Sequence, residues 1–209
     1  MPLSEYRRKR RFRVTPEPAG NDKPRAPRRA ALRYVIQKHR ASHLHYDFRL
    51  EWNDVLLSWA IPKGPSLNPT VKRLAVEVED HPLDYADFEG VIPQGEYGGG
   101  TVMIWDTGTW RPEVPDVDEA LRDGELKFTL RGKKLRGSWV LVRTRGFGSS
   151  RRPSWLLIKH RDKFAGSGDI EEKEARSAVS KRTLAEIATD AGGDAEMAAT
   201  GDPKPSRRR

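Results

Sequence analysis

From Leu44 onward the even positions read Leu44, Tyr46, Phe48, Leu50 and Trp52, while the odd ones read His43, His45, Asp47, Arg49 and Glu51. This period of two sets one face of a β-strand against a core and turns the other away from it. Asn53-Asp54 predicts a turn, after which residues 55 to 61 return as a second strand until Pro62-Lys63-Gly64-Pro65 stops it. Residues 73 to 81 alternate again, with Leu74, Val76 and Val78 inward and Arg73, Glu77, Glu79 and His81 outward. Similar patterning predicts strands at 101–106, 109–111, 125–130, 135–144 and 154–160, with turns at Thr107-Gly108 and Gly132-Lys133. Asp116 and Glu119, three apart as in a capping box, predict a short helix over 117–122. Seven or eight short strands with short flanking helices make a mainly β fold, a small closed or crescent-shaped β-barrel. All six tryptophans fall in strand-like segments, where core packing is the expectation.

Length and charge divide the chain. With 209 residues it holds one full domain and long tails. Residues 1–30 carry ten Lys/Arg against three acids, residues 31–165 carry 21 against 18, and residues 166–209 carry eight against nine. The expected organisation is a basic flexible N-terminal arm over 1–30, a β-barrel domain over 31–165 and a flexible C-terminal tail over 166–209, with at most a short helix near 182–189. Mean hydropathy is −0.77, and no apolar run approaches the ~18 residues of a membrane-spanning helix. The basic run from Arg7 to Arg11 precedes no apolar segment, so it does not read as a secretory signal, and a cytoplasmic location is the default expectation. Cysteine is absent, which leaves histidine and carboxylate as the strong metal ligands. A net charge of +9 favours a polyanionic partner such as nucleic acid.

Three of the five histidines, His39, His43 and His45, fall within seven residues. At a strand rise of ~3.3 Å, His45, Asp47 and Arg49 follow one another on one face. Imidazole with carboxylate suits a divalent transition ion, and the lack of thiolate favours a harder one such as manganese. His39 and His45 cannot meet along one straight strand, so a shared ion requires a bend or bulge near Ala41-Ser42. His43 is the weakest candidate of the three. Arg49, Arg73 and Lys63 are candidates for gripping phosphate, Arg as a bidentate fork and Lys as a point charge. His81 is placed to donate a hydrogen bond to phosphate or a proton to a leaving alkoxide. The run Gly95 to Gly100 precedes a strand and no helix, so it lacks the context of a P-loop. No Gly-x-Ser-x-Gly elbow supports a serine hydrolase.

Four separated motifs carry a family resemblance: Gln37-Lys38-His39 with His45-Tyr46-Asp47-Phe48-Arg49-Leu50; Ser58 to Ser66; Glu79-Asp80-His81-Pro82-Leu83-Asp84-Tyr85; and Gly90-Val91-Ile92-Pro93-Gln94-Gly95. In order and spacing they resemble the 3′-phosphoesterase domain of bacterial DNA ligase D, over residues 5 to 165. The resemblance implies a manganese-dependent enzyme of non-homologous end joining that heals DNA 3′ ends. It would remove a 3′-terminal ribonucleoside from a primer–template duplex and then hydrolyse the 3′-phosphate to a hydroxyl. It implies His39, His45 and Asp47 as metal ligands. Arg49, Lys63, Arg73 and His81 would engage the scissile phosphate, with Tyr85 as a supporting donor. Tyr6, Lys9-Arg10, Phe12 and Thr15 to Pro18 also fit the pattern, and Glu17 is a candidate for activity. Arg11 stands where an acid is expected and His43 where a basic or polar residue is. The expected form is a stand-alone version or an excised module, working with a separate ligase, polymerase and end-binding protein and no membrane. The alternatives are a non-catalytic nucleic-acid-binding scaffold of the same fold and a metal-dependent oxygenase on a β-barrel. Phosphate-binding cations argue against the oxygenase.

Overall fold

The computed structural model describes residues 3–20, 31–144, 153–168 and 170–203. Nine antiparallel strands form the body: β1 (Arg33–Arg40), β2 (Leu44–Trp52), β3 (Val55–Ile61), β4 (Lys72–Pro82), β5 (Gly90–Ile92), β6 (Gly100–Pro112), β7 (Glu125–Gly132), β8 (Arg136–Arg143) and β9 (Ser154–Lys159). Hydrogen bonding runs β1-β2-β3-β4-β9-β8-β7-β6 and returns from β6 to β1, so eight strands close a barrel and β5 adds to β6 outside the ring. Closure leaves the eight ring strands with no free edge. The mainly β barrel expected from the alternation is the fold observed.

Three strands differ from the sequence expectation, β5 because its three residues are too few to show an alternation. β1 is buried on both faces, inside by the barrel core and outside by chain packed over it, so it shows no alternation to read. β6 is one strand of 13 residues and not two joined by a turn at Thr107-Gly108. Gly108 lies opposite Gly132 of β7, and a Cβ there would stand 2.2 Å from the Arg131 carbonyl oxygen. The glycine serves a close strand approach and not a bend. Asn53 and Asp54 have φ of 47° and 63°, the left-handed pair of a two-residue hairpin, as their sequence predicts.

The barrel interior holds Tyr34, Ile36, Tyr46, Phe48, Trp59, Trp105, Phe128, Trp139 and Trp155, all buried. Five of the six tryptophans are buried in this way, which agrees with the packing role expected of them. A second cluster of Tyr6, Val35, Leu56, Leu83, Tyr85, Ala86 and Ile104 lies on the other face of β1 and β3. Helix α1 (Ser4–Arg8) brings Tyr6 to it, where the ring is fully buried and its hydroxyl donates to the Pro18 carbonyl at 2.6 Å. Helix α2 (Val117–Asp123) starts where Asp116 accepts from the Glu119 amide. Helices α3 (Ile170–Lys173), α4 (Leu184–Asp190) and α5 (Ala195–Ala199) cover one end of the barrel, with Leu184, Ile187, Ala188 and Ala198 in the main core. Composition predicts a solvated arm and tail, but residues 3–20 and 170–203 pack through a few apolar anchors. Residues 21–30 of the expected arm and 204–209 of the expected tail lie outside the described residues.

Candidate metal centre and its cavity

β1 and β2 form a hairpin through the bends at residues 41–43, and its register sets His39 directly opposite His45. The bend required near Ala41-Ser42 is present as this turn. His39, His45 and Asp47 face away from the barrel core, and each offers a ligand atom within 4.8 Å of the others. His39 Nδ1 lies 3.6 Å and His45 Nε2 3.7 Å from the same Asp47 oxygen. His45 Nδ1 is 3.0 Å from the His43 carbonyl oxygen, which makes it the donor and leaves Nε2 with a lone pair towards Asp47. His39 Nε2 is buried with no hydrogen-bond partner. Unpaired buried polar atoms are rare and ask for a ligand. Two imidazoles, one of them with an orphaned nitrogen, and one carboxylate therefore fit one divalent cation. His43 contributes its backbone and is outside this group.

Arg49 stands beside the three donors, held at every nitrogen. Its Nε donates to Gln37 Oε1 and its Nη1 to Ser58 Oγ, both at 2.8 Å, while Nη2 lies 3.3 Å from Asp47. Gln37 is fixed in turn by donating to the carbonyls of Tyr85 and Phe88. Burial alone raises the Asp47 pKa, but Arg49, then His45 and His39, outweigh it and hold the carboxyl well below the usual carboxylate range. Asp47 is thus a permanent anion.

His81 closes the opposite wall. Its Nδ1 donates to the Glu79 carbonyl at 2.8 Å, and Arg10 Nη2 lies 3.1 Å from Nε2, so the ring is neutral with Nε2 as acceptor. Burial, then the nearby Arg49 and Arg10 charges, push its pKa well below the ordinary 6.5. Tyr6 and Tyr85 box the ring edge-on at 4.9 and 4.7 Å. Arg10 is itself buried and pairs with Glu17 at 2.8 Å and Glu79 at 3.3 Å. Glu17 accepts from the Tyr85 hydroxyl at 3.0 Å. A cavity of about 290 Å³ is lined by Arg10, His39, His45, Asp47, Arg49, Glu79, His81, Tyr85, Tyr97 and their neighbours. Arg11, the departure from the expected acid, reaches out of the cavity and pairs with Glu96.

Six of the sequence-predicted residues meet here: His39, His45, Asp47, Arg49, His81 and Tyr85. Lys63 and Arg73 do not line the cavity. Lys63 is exposed in its turn. Arg73 pairs with Glu171 at 3.6 Å beside the covered barrel end, its Nε buried. The expectation that Arg73 shares a face with His81 fails at a bulge. The register of β3 with β4 shifts between Leu56 and Ser58, so the residue sums of paired positions change from 137 at Leu56↔His81 to 136 at Ser58↔Val78. One extra residue in β4 inverts the parity, and Arg73 falls on the core side with Ala75. Gln37, Ser58 and Glu79 had no role assigned from sequence, although all three sit in the quoted motifs. For Gln37 and Ser58 the signal is that they flank Arg49 on neighbouring strands once β1 is recognised as a strand.

Comparison with known proteins agrees with this arrangement. Residues 37–143 match the family described as DNA Ligase D 3′-phosphoesterase domain. The chain is 52% identical over 211 residues to the multifunctional non-homologous end joining protein LigD of Pseudomonas aeruginosa, covering 98% of this chain and 25% of that protein. It is 47% identical over 144 residues to the multifunctional non-homologous end joining DNA repair protein LigD of Mycobacterium tuberculosis, with 69% of this chain and 18% of that protein covered. The corresponding protein of Mycolicibacterium smegmatis is 40% identical over 165 residues, 77% of this chain and 21% of its own length. The chain thus spans about a quarter or less of the length of these relatives. The family match takes in every strand from β2 to β8 and begins at Gln37, two residues before the first of the clustered histidines, so the fold, the cavity and the comparison converge: the chain belongs to the DNA ligase D 3′-phosphoesterase domain family.

Proposed function

We propose that the protein is a manganese-dependent phosphoesterase that heals DNA 3′ ends for non-homologous end joining. It takes a primer–template whose primer ends in a ribonucleotide, releases the terminal ribonucleoside to leave a 3′-phosphate, and hydrolyses that phosphate to a 3′-hydroxyl. The observation that carries this reading is the convergence of two imidazoles and one carboxylate on one point beside a buried, fully oriented guanidinium. His39, His45 and Asp47 would hold the ion. Bound there, it supplies Lewis-acid polarisation of a phosphate oxygen.

The chain's own residues do the rest. Arg49 Nη2 needs no reorganisation to meet charge that develops on the phosphate, because Gln37 and Ser58 already fix its plane. Arg10 Nη2 supplies a second guanidinium arm across the cavity. When that arm turns to phosphate, His81 Nε2 is left as an acceptor beside the reacting centre. His81 so disposed takes a proton from an attacking water or ribose hydroxyl, in place of the donor role its sequence context suggests. Tyr85, tied to Glu17, keeps His81 in place through ring contact. Lys63, exposed in its turn, and Arg73, paired with Glu171, stand outside the cavity wall and take no assigned step in this reading.

The test is incubation with manganese and a labelled primer–template bearing one 3′ ribonucleotide. Sequential appearance of a 3′-phosphate and a 3′-hydroxyl strand is the expected result, and His45→Ala should lower the rate about 100-fold or more with unchanged melting. Tight duplex binding without conversion would replace this reading with that of a non-catalytic scaffold.

A further inference from the structure

The hairpin of β7 and β8 carries four cations in six residues: Arg131, Lys133, Lys134 and Arg136. Two turn to the C-terminal segment and are satisfied there. Lys133 Nζ donates to the Ala178 carbonyl at 2.8 Å, and Lys134 Nζ donates to the carbonyls of Glu174 and Arg176 at 2.6 Å each. The other two turn outward. Arg131 and Arg136 are exposed and are direct cross-strand partners. Like charges set opposite one another in antiparallel strands destabilise the pair. Arg136 Nε donates to the Gly132 carbonyl at 3.2 Å, and among the described residues neither guanidinium pairs with a carboxylate.

The row extends on both sides. Arg111 of β6 faces Thr129 of β7, one step diagonal from Arg131, and is exposed as well. Two hollows of about 370 and 500 Å³ meet at Thr129 and Arg131; the first adds Arg111, the second Arg136 and Lys163, and neither is lined by Asp or Glu. Glu113 shares this outer face and Asp162 lies near it, but both carboxylates already have partners. Glu113 accepts from the hydroxyls of Thr129 and Ser138, and Asp162 takes Lys159 Nζ at 2.6 Å. In the ring, β7 and β8 lie across the barrel from β2 and β3, the middle two of the four strands β1 to β4 that line the cavity.

We propose that this outer face of β6, β7 and β8 binds the phosphodiester backbone of a nucleic-acid strand, as a second contact separate from the cavity. A row of guanidinium forks at cross-strand spacing suits a polyanion whose charge repeats, and each fork can take a phosphate in bidentate fashion. Bound phosphate also removes the repulsion between Arg131 and Arg136. The contact reads no base sequence, and its strength falls with salt as counterions are released.

The experiment is a fluorescence-anisotropy titration of the full chain with labelled oligothymidine, in chelator, at several salt concentrations. Arg131→Gln/Arg136→Gln should bind about tenfold more weakly at low salt, and its slope of log affinity against log salt should shrink by roughly 1.4, or 0.7 for each of two lost single-strand contacts. Arg111→Gln alone should lose about half of that slope change, and it serves as the readout if the double variant melts lower. His45→Ala should bind as the wild type does, so that a failure of the end-healing reading leaves this result standing. Unchanged affinity and slope in the arginine variants would overturn the proposal. So would labelled polyglutamate that binds the wild type more tightly than oligothymidine and loses that binding in the double variant, which would make the face a docking surface for an acidic protein.

Discussion

At the scale of single residues, parity along a strand decides which side chains share a site. His45, Asp47 and Arg49 were readable because β2 is regular from end to end. Arg73 was not, because one bulged residue between it and His81 reverses the face without leaving any mark on composition. Charge environment was equally hidden. Asp80 follows the buried Glu79 in β4, and burial, then Glu77, Glu5 and Glu79, raise its pKa from 3.8 to about 6. A raised value means that the folded state holds the proton more tightly than the unfolded chain. The stability this provides is full below the unfolded pKa of about 4 and is lost as pH rises through 6. Above that range the ionised Asp80 costs about 1–2 kcal/mol after allowance for solvent screening. Asp80→Asn should therefore raise the melting temperature by about 3–6 °C at pH 8 and by almost nothing at pH 4. An equal gain at both pH values would show that the carboxylate is not the cause.

At the scale of elements, what the pattern conveys is amphipathicity, so strands with one wet face are seen and strands covered on both sides are not. β2, β3, β7, β8 and β9 were recognisable. β1, sandwiched between the main core and the outer cluster, reads only as a polar run after Tyr34-Val35-Ile36, although it supplies His39 and Gln37. Gly108 shows the opposite error, a strand residue whose type suggests a turn. Its role is to let β6 and β7 approach where Gly132 and Arg131 pass. Gly108→Ala should accordingly destabilise the fold by about 1–3 kcal/mol, measured by urea unfolding, through a clash with backbone that no rotamer relieves. Were Gly108 in a solvent-facing turn, the same substitution would be close to neutral.

At the scale of the whole molecule, the barrel supplies His39, His45, Asp47 and Arg49, but the wall facing them depends on chain that composition marks as unstructured. Low apolar content does not exclude order when a few residues are well placed, and Tyr6 is the example. It is fully buried among Phe12, His81 and Tyr85, with Arg10 stacked 3.9 Å from its ring centre. The cluster it anchors is outside the barrel and separate from the main core, so it can open as a unit of its own. Tyr6→Ala removes a buried aromatic ring, a loss of about 3–5 kcal/mol that should fall on this unit first. Hydrogen exchange over residues 4–20 should then accelerate while β7, β8 and β9 keep their protection. Arg10 would leave the cavity with the arm, Glu17 would leave Tyr85, and the proposed healing of the 3′ end should decline even though His39, His45 and Asp47 stay in place. Faster exchange throughout the barrel would instead make the arm part of a single cooperative core, and the division between a barrel that carries the His39, His45 and Asp47 group and an arm that completes its cavity would fall.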